Sequence, residues 1–183
     1  MSEVTSERPA PGRVRLVVLF GGQSAEHDVS CVTAKHVVGA ADPARYTLDP
    51  VGITRDGQWV RAEDARAAIE QGTAALPEAL AATGTRIDHE SAIVPTGADD
   101  TVVVFPLLHG PMGEDGTVQG LLEQAGVPYI GAGVLGSAVA MDKAMAKDVL
   151  AAKGIPQARW LAYRSSDLDD LPLTQADFLG ELT

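Results

Sequence analysis

The residues best suited to bind a ligand lie close together in residues 107–120, which read L-L-H-G-P-M-G-E-D-G-T-V-Q-G. His109 follows an apolar run at residues 101–108, and Glu114 and Asp115 come next in a loop punctuated by glycines. An apolar run with few charges is typical of a strand buried on both faces of a parallel sheet, and ligands bind beyond the carboxyl ends of such strands. The pattern therefore predicts a strand, a loop and a helix, with one imidazole and two carboxylates at the ligand-binding edge.

Each of these residues also has an ordinary structural interpretation. Gly113 and Gly116 could be turn residues, and His109 could simply end a strand. Glu114 and Asp115 could interact favourably with a helix N-terminus through the helix dipole. Taken one at a time the residues favour this interpretation, whereas three functional side chains and four glycines in one short stretch favour a binding site.

A second candidate stretch follows the first predicted strand. Residues 13–20 are mostly apolar, and this run stops at Gly21 and Gly22. Ser24 is then predicted to cap a helix, and Glu26 falls near its first turn. A strand, a glycine pair and a helix are typical of the opening of a Rossmann-like unit, but the dinucleotide motif G-x-G-x-x-G is absent. From spacing alone, Glu26 is best explained by the helix dipole, worth about 0.3–1 kcal/mol.

Two motifs in these stretches resemble signatures of the D-alanine:D-alanine ligases, which belong to the ATP-grasp superfamily. The first is H-G-x-x-G-E-D-G followed by a small or aliphatic residue, Gln and Gly, and the second is G-G-x-S-x-E-H-x-V-S. A shorter match is M-D-K at residues 141–143, which resembles the start of a helix in the central domain of the family. The resemblance covers nearly the whole chain, and it changes the interpretation of single residues.

The resemblance implies a role for five residues. Glu26 is expected to hold the ammonium group of the first D-alanine as the catalytic residue of this chain, since a carboxylate accepts charge-assisted hydrogen bonds from an amine. Val29 is expected to form a wall near the substrate methyl group, and His109 to help place the same amino acid. Glu114 is expected to orient His109 or the loop backbone. Lys143 is expected to contact the nucleotide phosphates.

The resemblance also implies a reaction. In the family, the γ-phosphoryl group of ATP is transferred to the carboxylate of one D-alanine, and the amine of a second D-alanine then displaces phosphate, giving a dipeptide for peptidoglycan synthesis. ATP and Mg²⁺ are the implied cofactors, but the metal ligands and the second nucleotide-binding lysine of the family match nothing in the 183 residues. Because phosphoryl transfer depends on metal ions and cationic side chains, the chain is expected to be the N-terminal part of a ligase, with little or no turnover alone.

Composition predicts a globular protein that does not bind nucleic acid. Hydrophobic residues make up 45% of the sequence, enough for a core, and 14 basic against 25 acidic residues give a net charge of -11. This charge argues against general binding to nucleic acids or to anionic membranes. Cys31 is the only cysteine, which excludes an intrachain disulfide and a Cys-rich zinc cluster. The sequence has no signal peptide and no apolar run of about 20 residues, so a cytoplasmic location is expected.

The predicted fold class is α/β, in two parts. Residues 1–12 are expected to be a disordered tail, and residues 13–133 a Rossmann-like, pre-ATP-grasp domain built on a parallel sheet. Residues 134–183 are expected to begin an ATP-grasp central domain, after a glycine-rich hinge at residues 131–136. The resemblance further implies a homodimer formed largely through the N-terminal domain.

Local signals predict the remaining elements. These are strands over residues 47–53, 127–130 and 158–163, a hairpin turn at Asp56-Gly57, helices over residues 63–71, 117–124 and 137–153, and loops without chemistry in residues 73–100. Pro50 suggests that the second strand lies at a sheet edge or an irregular spot. Four residues of the first helix recur at helical spacing and are predicted to face the sheet: Val29, Val32, His36 and Val37.

The sequence leaves alternatives open. A D-alanine:D-lactate or D-alanine:D-serine ligase would share these motifs, because the residues that select the second substrate lie in the half of the family sequence that is not matched. A non-catalytic module that dimerises or binds a partner belongs to a different class. A nicotinamide-binding Rossmann domain is disfavoured, because its glycine motif is missing.

Overall fold

The computed structural model describes residues 13–95 and 101–163. The elements in chain order are β1 (Val14–Gly21), α1 (His27–Ala40), β2 (Tyr46–Ile53), β3 (Trp59–Arg61), α2 (Glu63–Gln71), β4 (Thr85–Arg86), α3 (His89–Ile93), β5 (Val102–Pro106), α4 (Thr117–Gln124), α5 (Val134–Met141) and α6 (Lys143–Ala152), with a 3₁₀ turn at Thr73–Ala75. The tail predicted at residues 1–12 and the last part of the chain, residues 164–183, lie outside the described residues. The predicted α/β class is confirmed.

Five strands form one mixed sheet in the order β4-β3-β2-β1-β5. β1 lies between two parallel neighbours, so that Leu16 pairs with Leu48 of β2 and with Val103 of β5. β3 and β4 extend the sheet in antiparallel fashion. The parallel prediction is therefore confirmed for three strands only. Gly57 has a φ of 83°, and the turn that it forms joins β2 to the antiparallel β3, as the hairpin signal predicted.

The apolar sequence of β1 is explained by burial on both faces of the sheet. Val17 and Leu19 belong to one core cluster, while Leu16, Val18 and Phe20 belong to a second cluster on the opposite face. Alternation along the strand sends successive side chains to opposite faces. Because both faces are covered, the sequence of the strand is a continuous apolar run and does not alternate between apolar and polar residues.

The face of α1 that packs on the sheet differs in part from the prediction: Val37 packs against the core as expected, whereas His36 is exposed. Val29 and Val32 are 51% and 39% exposed, so they lie outside the core. The buried residues of the helix also recur at helical spacing: His27, Ser30, Cys31, Ala34 and Val38. Both sets fit the helical period, and the inward set is fixed by the Ser30 hydroxyl, which hydrogen-bonds to the ends of two strands. Hydrophobicity alone could not reveal that contact.

Pro50 lies in β2, the middle strand of the sheet, so the expectation of an edge strand is wrong. The ladder between β2 and β3 covers only Val51–Ile53 on the β2 side. Pro50 contributes a carbonyl that accepts from the Ala62 amide at 3.4 Å. It therefore lies just beyond the ladder, where its missing N–H removes no ladder hydrogen bond.

The last described part of the chain departs from the predictions at three places. The predicted helix over residues 137–153 is two helices, because Asp142 accepts from the Met145 amide at 3.0 Å and thereby starts α6. Residues 127–130 form a single parallel bridge, at Tyr129, and not a strand. Residues 158–163 form no strand, since no described segment pairs with them. The predicted helix end at residue 153 agrees within one residue with the end of α6 at Ala152, and Gly154 follows with a φ of 68°.

The chain divides into two compact units, Met1–Ala138 and Val139–Thr183. The domain boundary after residue 133 and the glycine-rich hinge stay predictions. Within the ranges that the structure describes, no helix is long and apolar enough to cross a membrane.

Candidate ligand-binding edge of the sheet

The glycine pair after β1 is required by the backbone. Gly21 and Gly22 have φ angles of 90° and 97°, which side chains rarely allow. A Cβ atom on Gly21 would lie 2.3 Å from the carbonyl oxygen of Ile53. His27 Nδ1 lies 2.7 Å from the Gly22 carbonyl, to which it donates, because a carbonyl oxygen only accepts. The chain therefore turns tightly out of the sheet at this point.

Ser24 ties the loop after β1 to the loop after β5. Its hydroxyl donates to the His109 carbonyl at 2.6 Å and accepts from the Glu26 amide at 3.1 Å. The prediction that Ser24 caps α1 is wrong, because the helix starts at His27 and its N-cap is Glu26. The hydroxyl satisfies a backbone group in each of two separate loops, which local sequence signals do not show.

Ser30, in the first turn of α1, makes a matching connection. This fully buried hydroxyl accepts from the Gly21 amide at 2.8 Å and donates to the Leu107 carbonyl at 2.6 Å. The ends of β1 and β5 are thereby fixed to the same side chain. Two serines of the G-G-x-S-x-E-H-x-V-S motif thus position the backbone at the carboxyl edge of the parallel strands.

Side chains of the H-G-x-x-G-E-D-G motif and the residues after it hydrogen-bond to the backbone of the loop that follows β5. Glu114 Oε2 accepts from the Gly110 amide at 2.7 Å. Gln119, buried in α4, donates from Nε2 to the Gly113 carbonyl at 2.9 Å. Met112 has a φ of 69°, the only positive value outside glycine in the described ranges. The motif therefore fixes a backbone conformation that the chain would not otherwise favour.

Asp115 bridges the ends of the same loop. Its carboxylate accepts from the Met112 amide at 2.9 Å and from the Thr117 amide at 3.0 Å. Partial burial raises the pKa of Asp115, but these hydrogen bonds outweigh it and hold the pKa below its ordinary value. The contact with Thr117, the first residue of α4, agrees with the structural interpretation of this aspartate.

We expect Asp115→Asn to destabilise the chain at about pH 7 by roughly 0.5–1 kcal/mol, because an amide oxygen can serve only one of the two N–H groups. The folded-state pKa is lowered, so the carboxylate contributes stability above its ordinary pKa of about 3.9 and loses it as pH falls through the folded value. Urea unfolding of both proteins at neutral and at acid pH measures the difference. Asp64→Asn, at an exposed helix residue, is the control. A difference that does not shrink in acid would contradict the account.

Glu26 lies beside the loop that follows β5. A Cβ atom on Gly110 would lie 3.1 Å from Glu26 Oε2 and 3.1 Å from the Ser24 Cβ. Glu26 is exposed, and although it occupies the N-cap of α1, its side chain makes no capping hydrogen bond. The carboxylate is therefore not used to start the helix, and it stands at the edge where the two loops meet.

His109 is half-buried and lines a cleft of about 170 Å³. The cleft is largely apolar, with Trp59, Leu108 and Met112 among its walls, and neither Glu26 nor Glu114 lines it. His109 Nε2 lies 3.3 Å from the Thr33 hydroxyl of α1. No sequence pattern indicated Thr33, because its contact with His109 joins positions far apart in the chain.

The family model described as the N-terminus of D-ala D-ala ligase matches residues 15–132. The chain belongs to the D-alanine–D-alanine ligase family. Among curated relatives named D-alanine–D-alanine ligase, one from Mycobacterium avium strain 104 is 43% identical over 93% of this chain and 49% of the relative. Another, from Nocardia farcinica, is 50% identical over 83% of this chain and 45% of the relative.

Solved ligase structures share the fold. The D-alanine-D-alanine ligase of Coxiella burnetii has a TM-score of 0.67 at 30% identity and covers 93% of this chain and 49% of its own. The ligase of Bacillus anthracis, complexed with ATP, has a TM-score of 0.58 at 29% identity. The match covers 91% of this chain and 45% of the Bacillus anthracis chain. The chain thus spans about half the length of the ligases that it matches.

Four of the five predicted site residues lie in the segment that the ligase family model matches: Glu26, Val29, His109 and Glu114. Val29 is exposed on α1, and its carbonyl accepts from Thr33. Lys143 lies in the second compact unit, as the first residue of α6, and its Nζ donates to the Ala140 carbonyl at 3.0 Å. The roles of all five residues stay predictions.

Proposed function

We propose that this chain forms the wall that binds the first D-alanine in an ATP-dependent D-alanine:D-alanine ligase. The observation that carries the proposal is the Ser24 bridge to the His109 carbonyl, which joins the two motif loops at the carboxyl ends of β1 and β5. Glu26 is thereby placed beside Gly110. Family membership supports D-alanine as the substrate. The joined loops lie at the carboxyl ends of parallel strands, where ligands of such sheets bind.

The carboxylate of Glu26 would receive the ammonium group. An amino acid at neutral pH carries three N–H donors on a positive charge, and a carboxylate accepts such donors in strong, charge-assisted hydrogen bonds. Glu26 suits this task because it is exposed and does not cap its helix. His109 would help to place the same amino acid from the adjoining loop, and Val29 would lie near the substrate methyl group.

One of the described residues is suited to bind the phosphates of ATP. Lys143 opens α6, so that a cationic side chain and a helix N-terminus occur together, a combination that suits phosphate. ATP supplies the phosphoryl group that activates a carboxylate. Residues 13–95 and 101–163 contain no group of three or more His, Cys, Asp or Glu side chains that could hold a metal ion.

The second amino acid is proposed to be D-alanine, because the curated relatives at 43% and 50% identity bear that name. A solved D-Ala:D-Ser ligase from Enterococcus faecalis is also similar, with a TM-score of 0.63 at 27% identity. D-serine is therefore the specific alternative. Family membership also supports a role in peptidoglycan synthesis in the cytoplasm and a homodimer formed through the N-terminal domain.

Titration of the 183-residue chain with D-alanine and L-alanine tests the proposal. We expect D-alanine to shift the amide NMR signals of Gly110 and Glu26 more than L-alanine does. We expect no D-alanine-dependent phosphate release from Mg-ATP, because one lysine, Lys143, cannot by itself neutralise the charge of a phosphoryl group in transfer. Equal shifts with both enantiomers would contradict a D-alanine site, and phosphate release would show that this chain assembles a complete one.

A further inference from the structure

The hydrogen bonds around Thr33 determine which nitrogen of His109 carries a proton. The Thr33 hydroxyl lies 2.9 Å from the Val29 carbonyl, one helical turn earlier, and 3.3 Å from His109 Nε2. A carbonyl oxygen can only accept, and the contact with Val29 is the shorter of the two, so the single hydroxyl hydrogen is assigned to Val29. The hydroxyl oxygen can then only accept a hydrogen bond from the His109 ring. His109 must therefore carry its proton on Nε2.

We infer that Thr33 is a positioning residue that holds His109 as the Nε2–H tautomer and leaves Nδ1 as a hydrogen-bond acceptor. A neutral imidazole has one donor and one acceptor nitrogen, so fixing the proton on Nε2 makes Nδ1 the acceptor. No described residue donates a hydrogen bond to Nδ1, and His109 lines the cleft at the ligand-binding edge. The ring is thus set to accept an N–H from a ligand.

The acceptor suits the ammonium group of an amino acid, and this step rests on the proposed function. Glu26 offers carboxylate oxygens from one loop, and His109 offers a ring nitrogen from the loop that Ser24 joins to it. An ammonium group has more N–H donors than one carboxylate oxygen can accept. The opposite tautomer would present an N–H to the ammonium and repel it.

His27 provides an internal reference for the measurement. Its Nδ1 lies 2.7 Å from the Gly22 carbonyl, so its proton must be on Nδ1. The two histidines are therefore expected to be opposite tautomers in one folded chain. The sequence has four histidines, and a His109→Gln variant identifies the signals of that ring.

The test is ¹⁵N NMR of the histidine rings in the 183-residue chain at about pH 8, chosen to observe the tautomers of the neutral imidazole. We expect His109 to carry its proton on Nε2, and His27 on Nδ1. In Thr33→Val, which keeps the side-chain shape, the His109 ring should populate both tautomers and its N–H should exchange faster with water. Thr33→Ser should restore the single tautomer, and the signals of His27 should not change in either variant.

The same variants are titrated with D-alanine. Loss of one oriented hydrogen bond is expected to raise the D-alanine dissociation constant roughly 3- to 10-fold in Thr33→Val, and less than about twofold in Thr33→Ser. A proton on Nδ1 of His109, or a tautomer unchanged in Thr33→Val, would overturn the inference. Expected tautomers with an unchanged affinity would overturn only the ammonium contact. No D-alanine binding by the unaltered chain would instead overturn the proposed function.

Discussion

Replacing Glu26 with glutamine is expected to weaken D-alanine binding roughly 10- to 100-fold, the range for losing a hydrogen bond to a charged group. Glutamine keeps the length and shape of the side chain but removes its charge. It also turns an N–H₂ group towards the ammonium in place of an acceptor. The measurement is the D-alanine dissociation constant of the 183-residue chain by NMR titration. In a hybrid ligase, this chain replaces the aligned half of the Mycobacterium avium relative. The effect of Glu26→Gln on kcat/KM for D-alanine is then measured in the hybrid.

Asp28→Asn is the matched control for Glu26→Gln. Asp28 lies in the first turn of the same helix, is exposed and forms an ion pair with Arg55, but it does not face the loop after β5 in any described contact. If Glu26 acted only through the helix dipole, both substitutions would lower stability slightly and change D-alanine binding equally little. An unchanged dissociation constant in Glu26→Gln would remove its proposed role.

Ser30→Ala is expected to destabilise the chain by about 2–3 kcal/mol, because it leaves two buried backbone groups without their partner. The Gly21 amide would lose its acceptor and the Leu107 carbonyl its donor. Both groups lie at the ends of parallel strands, where no neighbouring strand offers a replacement. The free energy of unfolding in urea measures the loss.

Ser91→Ala, at an exposed residue of α3, is the control for Ser30→Ala and should change stability by less than about 0.5 kcal/mol. The dissociation constant for D-alanine, measured under conditions in which the variant is fully folded, is a second readout. If Ser30 fixes the ends of both strands, folded Ser30→Ala should bind D-alanine more weakly as well. A stability equal to that of the unaltered chain would mean that the two backbone groups find other partners.

Features that depend on local chemistry could be predicted from the sequence. The glycine pair predicted the tight turn after β1, because the backbone angles found there favour glycine. Asp56 and Gly57 predicted the hairpin, and the helices predicted over residues 63–71 and 137–153 end where a glycine follows within two residues, Gly72 and Gly154. The apolar runs predicted β1 and β5, since strands covered on both faces leave little choice of residue.

Features that depend on contacts distant in sequence could not be predicted. Ser24 has the sequence pattern of a helix cap, but the carbonyl that it binds lies 85 positions away. The buried face of α1 was partly misassigned for the same reason, because the partners of Ser30 lie in other elements. Asp142 interrupts a continuous run of helix-forming residues, which propensity alone assigned to one helix. The motif resemblance compensated in part, since it marked serines and acidic residues that local rules treat as ordinary.

The loop after β5 has a consequence for the energetics of binding. Glu114, Asp115 and Gln119 all hydrogen-bond to its backbone, as does Ser24 from the other loop. These bonds form within the protein, so the loop has its conformation before any amino acid arrives. Such preorganisation means that binding loses little conformational entropy at this surface. A small ligand with few contacts can therefore be selected mainly by the placement of its charge and its chirality.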